Sequence, residues 1–224
     1  MPVESSLHRQ LKERYGPSIG GRAEVAHRGF RIDAIAPDGR LIEVQSSPLG
    51  LLRRKLERLL PTQPVGVVKP IVVGRRVVRR DRAGAEDRPA RRSPRRGALI
   101  DAFDELVGLA RVFPHANLRI DLLAVEIDEV RVPRRGRPGY TVVDRILREV
   151  VAAVGLREAD DLWSILPDGL PGRFTTDQLA DHLGRPVEFA RRVAYCLRHA
   201  GAVGTVDRRG NRRVYERGAV EPGV

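Results

Sequence analysis

The chain has 224 residues, 41 Lys+Arg against 29 Asp+Glu, a net charge of +12 and a hydrophobic fraction of 42%. That length allows one large or two small domains with packed cores, and the basic excess favours a polyanionic partner, nucleic acid first. The single cysteine, Cys196, excludes an internal disulfide and a cysteine-based zinc site. The first residues lack the apolar segment of a secretory signal. No apolar run is long enough to span a membrane, so the expectation is a soluble, cytoplasmic protein with no membrane partner.

Residues 3–15 predict a helix with Glu4, Leu7, Leu11 and Tyr15 on one face, stopped by Gly16-Pro17. His8, one turn after Glu4, could contact a phosphate or a water. Residues 23–36 read as one or two strands, with Arg28-Gly29 as a tight turn between them. A Pro37-Asp38-Gly39 turn precedes a third strand over 41–45. Side chains alternate along a strand, so Glu43 and Gln45 share one face, roughly 7 Å apart, and Ile42 and Val44 the other. Asp33, on the preceding strand of the hairpin, brings a second carboxylate beside Glu43. Two hard oxygen ligands from adjacent strands suit Mg²⁺, which accepts one or two carboxylates and keeps waters for chemistry.

Ser46-Ser47-Pro48 signals a helix start, and Leu49, Leu52, Leu56, Leu59 and Leu60 form the apolar stripe of the helix that follows. Residues 65–73 read as a buried strand. Residues 74–97 hold ten arginines and read as a strand end followed by a flexible basic loop that lies along a phosphate backbone. An amphipathic helix over 98–112 and a strand over 118–132 follow. Asp121 and Glu126 differ by an odd number and fall on opposite faces of that strand, which rejects them as a joint metal site.

The basic stretch 133–138 reads as the core of a linker. Residues 142–154 and 158–166 read as helices, and Thr175 or Thr176 caps another that ends at Gly184. Arg185-Pro186 opens one more helix, and a hairpin around Arg208-Arg209-Gly210-Asn211 closes the pattern.

Asp33 followed by Glu43-x-Gln45 on the next strand resembles the active-site hairpin of the PD-(D/E)XK (restriction-endonuclease-like) nuclease superfamily, in a branch with E-x-Q in place of E-x-K. The order helix, strands, Asp-turn-Glu hairpin, helix, buried strand is similar to that superfamily's αβββαβ core. The resemblance implies an α/β fold over residues 1–132 with an extra helix and strand, then a linker over 133–141. Residues 142–224 resemble a smaller α+β winged helix-turn-helix domain. It also implies Mg²⁺, with Mn²⁺ as a substitute, on Asp33, Glu43 and the backbone carbonyl of Val44, with Glu4 or Glu24 as a third acid.

Gln45 stands where most members carry Lys. It would orient the attacking water, and a neutral amide stabilises the transition state less than an ammonium, so slower chemistry is expected. In the winged-helix resemblance, Arg185, Arg191, Arg192 and Arg198 on the second helix and Arg208, Arg209, Arg212 and Arg213 on the wing would meet nucleic acid. The function so implied is metal-dependent phosphodiester hydrolysis of nucleic acid, DNA ahead of RNA because aromatic stacking residues are scarce. A homodimer is compatible with it, since many members cut duplexes as dimers. The alternative is a non-enzymatic DNA-binding or regulatory protein with a degenerate nuclease-like domain. No G-x-S-x-G or phosphate-loop motif is present.

Overall fold

The computed structural model describes residues 4–81, 85–137 and 139–218, without the side chains of Glu86, Asp87, Arg88 and Arg209. The protein is mixed α/β and divides into two compact units, neither continuous in sequence. The first takes Met1–Ser46, Gly66–Leu99 and Asp121–Ala153; the second takes Ser47–Val65, Ile100–Ile120 and Val154–Val224.

The first unit begins with helix α1 (Ser6–Tyr15), whose N-cap Ser5 accepts the His8 N–H. Strands β1 (Arg22–His27) and β2 (Phe30–Ile35) form an antiparallel hairpin closed on the pair His27↔Phe30. Its two turn residues, Arg28 and Gly29, both take positive φ, +46° and +79°, the twist-matched geometry of a two-residue hairpin. Strand β3 (Leu41–Val44) pairs antiparallel with β2. Strands β4 (Val65–Arg80), β5 (Glu86–Arg92), β6 (Leu118–Pro133) and β7 (Tyr140–Leu156) complete a seven-stranded sheet of order β1-β2-β3-β4-β6-β7, with β5 pairing β4. Leu7 and Leu11 of α1 pack on Ala34, Ile42, Val44, Val68, Leu123, Val125 and Ile127. The alternation 42/44 and 123/125/127 puts one face of β3 and of β6 into this core, as a period of two requires.

Three stretches differ from the sequence reading. Residues 74–97 are a β-hairpin rather than a loop over most of their length: Val77 and Val78 are buried, Arg76 is held by Asp128, and β5 pairs back on β4. Residues 142–154 lie in β7, not in a helix. Val142, Ile146, Val150 and Val154 fit a helical period as well as a strand, and the β-branched run Thr141-Val142-Val143 at its start decides for the strand. Of the stretch 133–141 read as linker, Pro133 ends β6, Tyr140 and Thr141 begin β7, and between them the Arg134 N–H donates to Gly139 O while Gly136 and Gly139 take positive φ.

The second unit is largely helical. A 3₁₀ turn (Leu49–Leu52) runs into α2 (Arg53–Leu59), and the Leu49, Leu52, Leu56, Leu59 and Leu60 stripe is buried. Helix α3 (Phe103–Leu106) is flanked by 3₁₀ turns (Leu99–Ala102 and Val107–Leu109). The Glu105 carboxylate accepts the Leu49 N–H at 3.0 Å. Gly50 and Gly108 let these two segments touch, since a Cβ on Gly108 would fall 2.6 Å from the Gly50 Cα.

A 3₁₀ segment (Ala159–Ile165) precedes β8 (Arg173–Thr175), α4 (Thr176–Leu183), α5 (Val187–Ala200), β9 (Val203–Arg209) and β10 (Arg212–Arg217). A capping box between Thr175 and Gln178 starts α4, and left-handed glycines Gly184 and Gly201 end α4 and α5. The three strands form a separate sheet of order β8-β10-β9. Among the described residues no helix is long and apolar enough to cross a membrane.

Leu11 is wholly buried between α1 and the sheet. Leu11→Ala should lower stability in urea unfolding by about 2–5 kcal/mol, and a loss under about 1 kcal/mol would contradict this packing.

Candidate functional site

The ladder between β2 and β3 ends at Ala34↔Ile42. One residue further stand Asp33 and Glu43. There the Val44 N–H donates to the Asp33 side chain, Oδ2 at 2.9 Å. A carboxylate has thus taken a backbone acceptor's place at the edge of the hairpin. On the other side of β2, Ala23↔Ala34 and Val25↔Ile32 bracket Glu24, which falls opposite Asp33 in register. Glu24 holds φ +53°, a left-handed conformation that costs a non-glycine residue free energy and turns the strand locally. Three carboxylates, from β1, β2 and β3, therefore fall at neighbouring positions across three adjacent strands.

Helix α1 answers them with a histidine and a lysine four residues apart. Lys12 Nζ donates to Glu4 Oε1 at 2.8 Å and to Glu24 Oε1 at 2.7 Å. His8 Nε2 lies 3.3 Å from Glu4 Oε1 and 3.4 Å from Asp33 Oδ1. Arg31 adds a contact to the outer oxygen of Glu24 at 2.7 Å. Both candidates for a third acid, Glu4 and Glu24, thus meet at one ammonium. Glu4 itself precedes the helix.

Lys12 is only 7% exposed. Burial lowers its pKa, but the hydrogen bonds and charges of Glu24 and Glu4 outweigh that and raise it above the ordinary lysine value. Sequence reasoning passed over Lys12; its signal was a lysine in an arginine-dominated chain, four residues after His8 and eight after Glu4. Glu43 is 6% exposed, and the Gln45 N–H donates to Val68 O, so the E-x-Q segment is fixed between β2 and β4.

Burial likewise opposes the charge on Asp33, yet hydrogen bonds from His8 and Val44, with the charges of His8 and Lys12, hold its pKa below the ordinary carboxylate value. Asp33 and Glu43 are a donor set of the type Mg²⁺ accepts, two hard carboxylates at neighbouring strand positions, and Asp33 keeps lone pairs beyond its contacts to His8 and Val44. Among the described residues no group of three or more His, Cys, Asp or Glu side chains forms a metal cluster.

In the second unit the arginines of α5 divide into two sets. Arg185 and Arg192 reach Asp101 and Asp104, at 2.8 and 2.6 Å, beside α3. Arg191 and Arg198 lie on a stripe with Tyr195 and His199, whose rings meet tilted at 4.2 Å; Arg191 lies 3.9 Å from Glu188 and Arg198 3.3 Å from His199 Nε2. On the hairpin, Arg208 pairs with Arg213 and Arg209 with Arg212 in register. Arg212 reaches Asp177 at 2.8 Å, while Arg208 and Arg213 are exposed. The Arg209 side chain lies outside the described residues. Cys196 is buried 3.9 Å from Phe103 O, with its thiol pushed up to about 12 by burial, which leaves it inert.

The chain belongs to the family described as a domain of unknown function (DUF8091), whose match covers residues 5–157 and so ends one residue after β7. A protein of Treponema pallidum (strain Nichols), described as an uncharacterized protein, is similar to it, with 33% identity over 224 residues that cover 96% of this chain and 85% of its own length. No solved structure matches the chain.

A depressed folded pKa makes Asp33 stabilising above its unfolded value of about 3.9, and that contribution fades as pH falls through the folded value. Asp33→Asn should therefore be less stable than wild type at neutral pH, with the gap closing in acid below both values. Urea unfolding across that range checks it, and a gap independent of pH would contradict it. Lys12 runs the opposite way: its contribution is full below about 10.4 and is lost as pH rises through its raised folded pKa.

Proposed function

We propose that this protein is a metal-dependent nuclease of the restriction-endonuclease-like kind, acting on DNA, with a winged-helix module for substrate binding. The observation that carries the reading is Asp33 beside Glu43 at the end of the β2–β3 ladder, under His8 and Lys12 of α1. The element order α1, β1–β2–β3, helical crossover, β4 supports it, and so does the basic excess of the chain. Asp33 and Glu43, with the Val44 carbonyl, would hold Mg²⁺, or Mn²⁺ in its place. The bound ion would lower the pKa of a water to give a nucleophile at neutral pH.

The chain's own groups divide the remaining work. Gln45 orients the attacking water through its amide. His8, between Glu4 and Asp33, fixes the Asp33 carboxylate. Lys12 supplies the cation that position 45 lacks: its ammonium is already desolvated and can face a phosphate whose negative charge grows in the transition state. Glu4 and Glu24 position that ammonium. In the second unit the order β8, α4, α5, β9, β10 and the sheet β8-β10-β9 support the winged-helix assignment. There Arg208 and Arg213, exposed on the hairpin, are the arginines best disposed for phosphates, with Arg191 exposed on α5, while Arg185, Arg192 and Arg212 are engaged with Asp101, Asp104 and Asp177.

A second reading, a DNA-binding protein whose nuclease-like unit no longer turns over, is favoured by the ion pairs of Lys12. They satisfy Glu4 and Glu24 within the protein. Cleavage of end-labelled single-stranded, duplex and branched DNA, with Mg²⁺, Mn²⁺ or chelator, separates the two. The nuclease reading expects metal-dependent cutting that falls at least about 100-fold in Asp33→Ala and Glu43→Ala, and a lower kcat with unchanged DNA affinity in Lys12→Gln. Wild type that binds DNA in a salt-sensitive manner and cuts none of the substrates would overturn it in favour of the second reading. Cutting that survives both acid substitutions would place the chemistry elsewhere.

A further inference from the structure

The hairpins β4–β5 and β6–β7 bound a cleft of about 400 Å³ whose lining includes Arg79, Arg91, Arg131, Pro133, Gly139 and Tyr140. That volume lies in the range of sites that take a nucleotide-sized group. Arg79 and Arg91 also line an adjoining cleft of about 310 Å³ with Val77 and Pro89. Arg131 is held rigidly: its guanidinium sits 4.0 Å from the Tyr140 ring centre and donates twice to Glu129 Oε1, at 2.6 and 2.8 Å. Neither Arg79 nor Arg91 has an ion-pair partner among the described side chains, and both are exposed.

The β4–β5 register makes this charge stranger. It sets Arg76 against Arg92, and like charges directly opposite on a ladder are destabilising. Asp128 neutralises Arg76, and Glu129 serves Arg131 together with Arg75. Nothing among the described side chains does the same for Arg79 and Arg91. A cluster of forked donors around a concave, aromatic-edged space is suited to phosphate oxygens, which guanidinium groups bind bidentately.

We infer that this cleft is a phosphate-binding site, separate from the acid cluster, in which Arg79 and Arg91 grip two phosphate oxyanions while Arg131 and Tyr140 form its floor. The inference rests on the nucleic-acid half of the reading above and not on its metal chemistry, so binding is measured with chelator present. The phosphates could belong to a nucleic-acid strand or to a free polyphosphate, and the two share this chemistry.

The test measures fluorescence anisotropy of labelled single-stranded and duplex oligonucleotides over a salt series, with full-length wild type, Arg79→Gln/Arg91→Gln, and a charge-matched control, Arg54→Gln/Arg58→Gln, on the exposed face of α2. A thermal melt verifies that all three are folded. Losing two phosphate contacts should weaken binding at least about tenfold and reduce the salt slope by about 1.4 on single strands or 1.8 on duplex, with the control close to wild type. Competition by inorganic tripolyphosphate at micromolar concentration, abolished in the cleft variant, would assign the site to a free polyphosphate; resistance to it would assign the site to the nucleic-acid strand. Equal slopes in wild type and cleft variant, equal losses in cleft variant and control, or no binding of either probe class by wild type would each overturn the inference. Wild-type binding with an unaffected cleft variant would leave the acid-cluster reading intact.

Discussion

Carboxylates crowded at one end of a sheet repel each other, and the first unit depends on how that repulsion is answered. Glu4, Glu24 and Asp33 approach within reach of one another because α1 brings His8 and Lys12 down onto them. The helix can do so because Leu7 and Leu11, interleaved with those two residues along it, are buried in the sheet's core. Apolar packing fixes the distance, and the Lys12 ammonium with the His8 contacts makes that distance tolerable. An ammonium as buried as Lys12 is costly unless paired, so helix and acids are held to one mutual arrangement. Removing either carboxylate would leave part of a desolvated charge uncompensated.

The same logic runs along β6 with the signs reversed. Glu129 on β6 is 3% exposed and lies within ion-pair distance of Arg75, Arg131 and Arg145, from β4, β6 and β7. Asp128 takes Arg76 in a two-pronged contact at 2.7 and 2.8 Å and lies 3.7 Å from Arg148. Two acids on one strand thereby bind five arginines across the neighbouring strands. Their long apolar stems can lie along the sheet while the heads reach the carboxylates. This is how a stretch as rich in arginine as β4–β5 is folded at all, and why the arginines beyond the reach of those acids stand out.

Much of the first unit was legible before any coordinates. The Arg28-Gly29 turn, the Pro37-Asp38-Gly39 turn and the alternation around Glu43 define β1, β2 and β3, because turn residues and a period of two are local signals. The leucine stripe of α2 and a cap at Thr175 or Thr176 are local in the same sense, and the structure places the cap at Thr175. What escaped depends on partners distant in sequence. Strand β5 is readable only once Arg76 and Asp128, 52 residues apart, are known to pair. Strand β7 carries valines at spacings that suit either period, and only its place beside β6 selects one. Lys12 looks like a surface residue until Glu24 is known to hold a left-handed turn beneath it. Likewise, Arg185 and Arg192 read as free groove contacts until Asp101 and Asp104 are placed beside them.

The interleaving of the two units governs how the polypeptide can emerge and close. When synthesis has passed β7 every strand of the large sheet exists, and the family's matched segment is complete. The leucines of α2 and the aromatic ring of Phe103 are by then long made. Yet α3 packs against α5, which is still unmade, and Leu49–Leu52 packs against the α3 segment. A nascent chain halted there displays a sticky, leucine-rich surface of the type that chaperones hold. The residues after 157, which the match to the Treponema protein also reaches, close a unit that begins at Ser47.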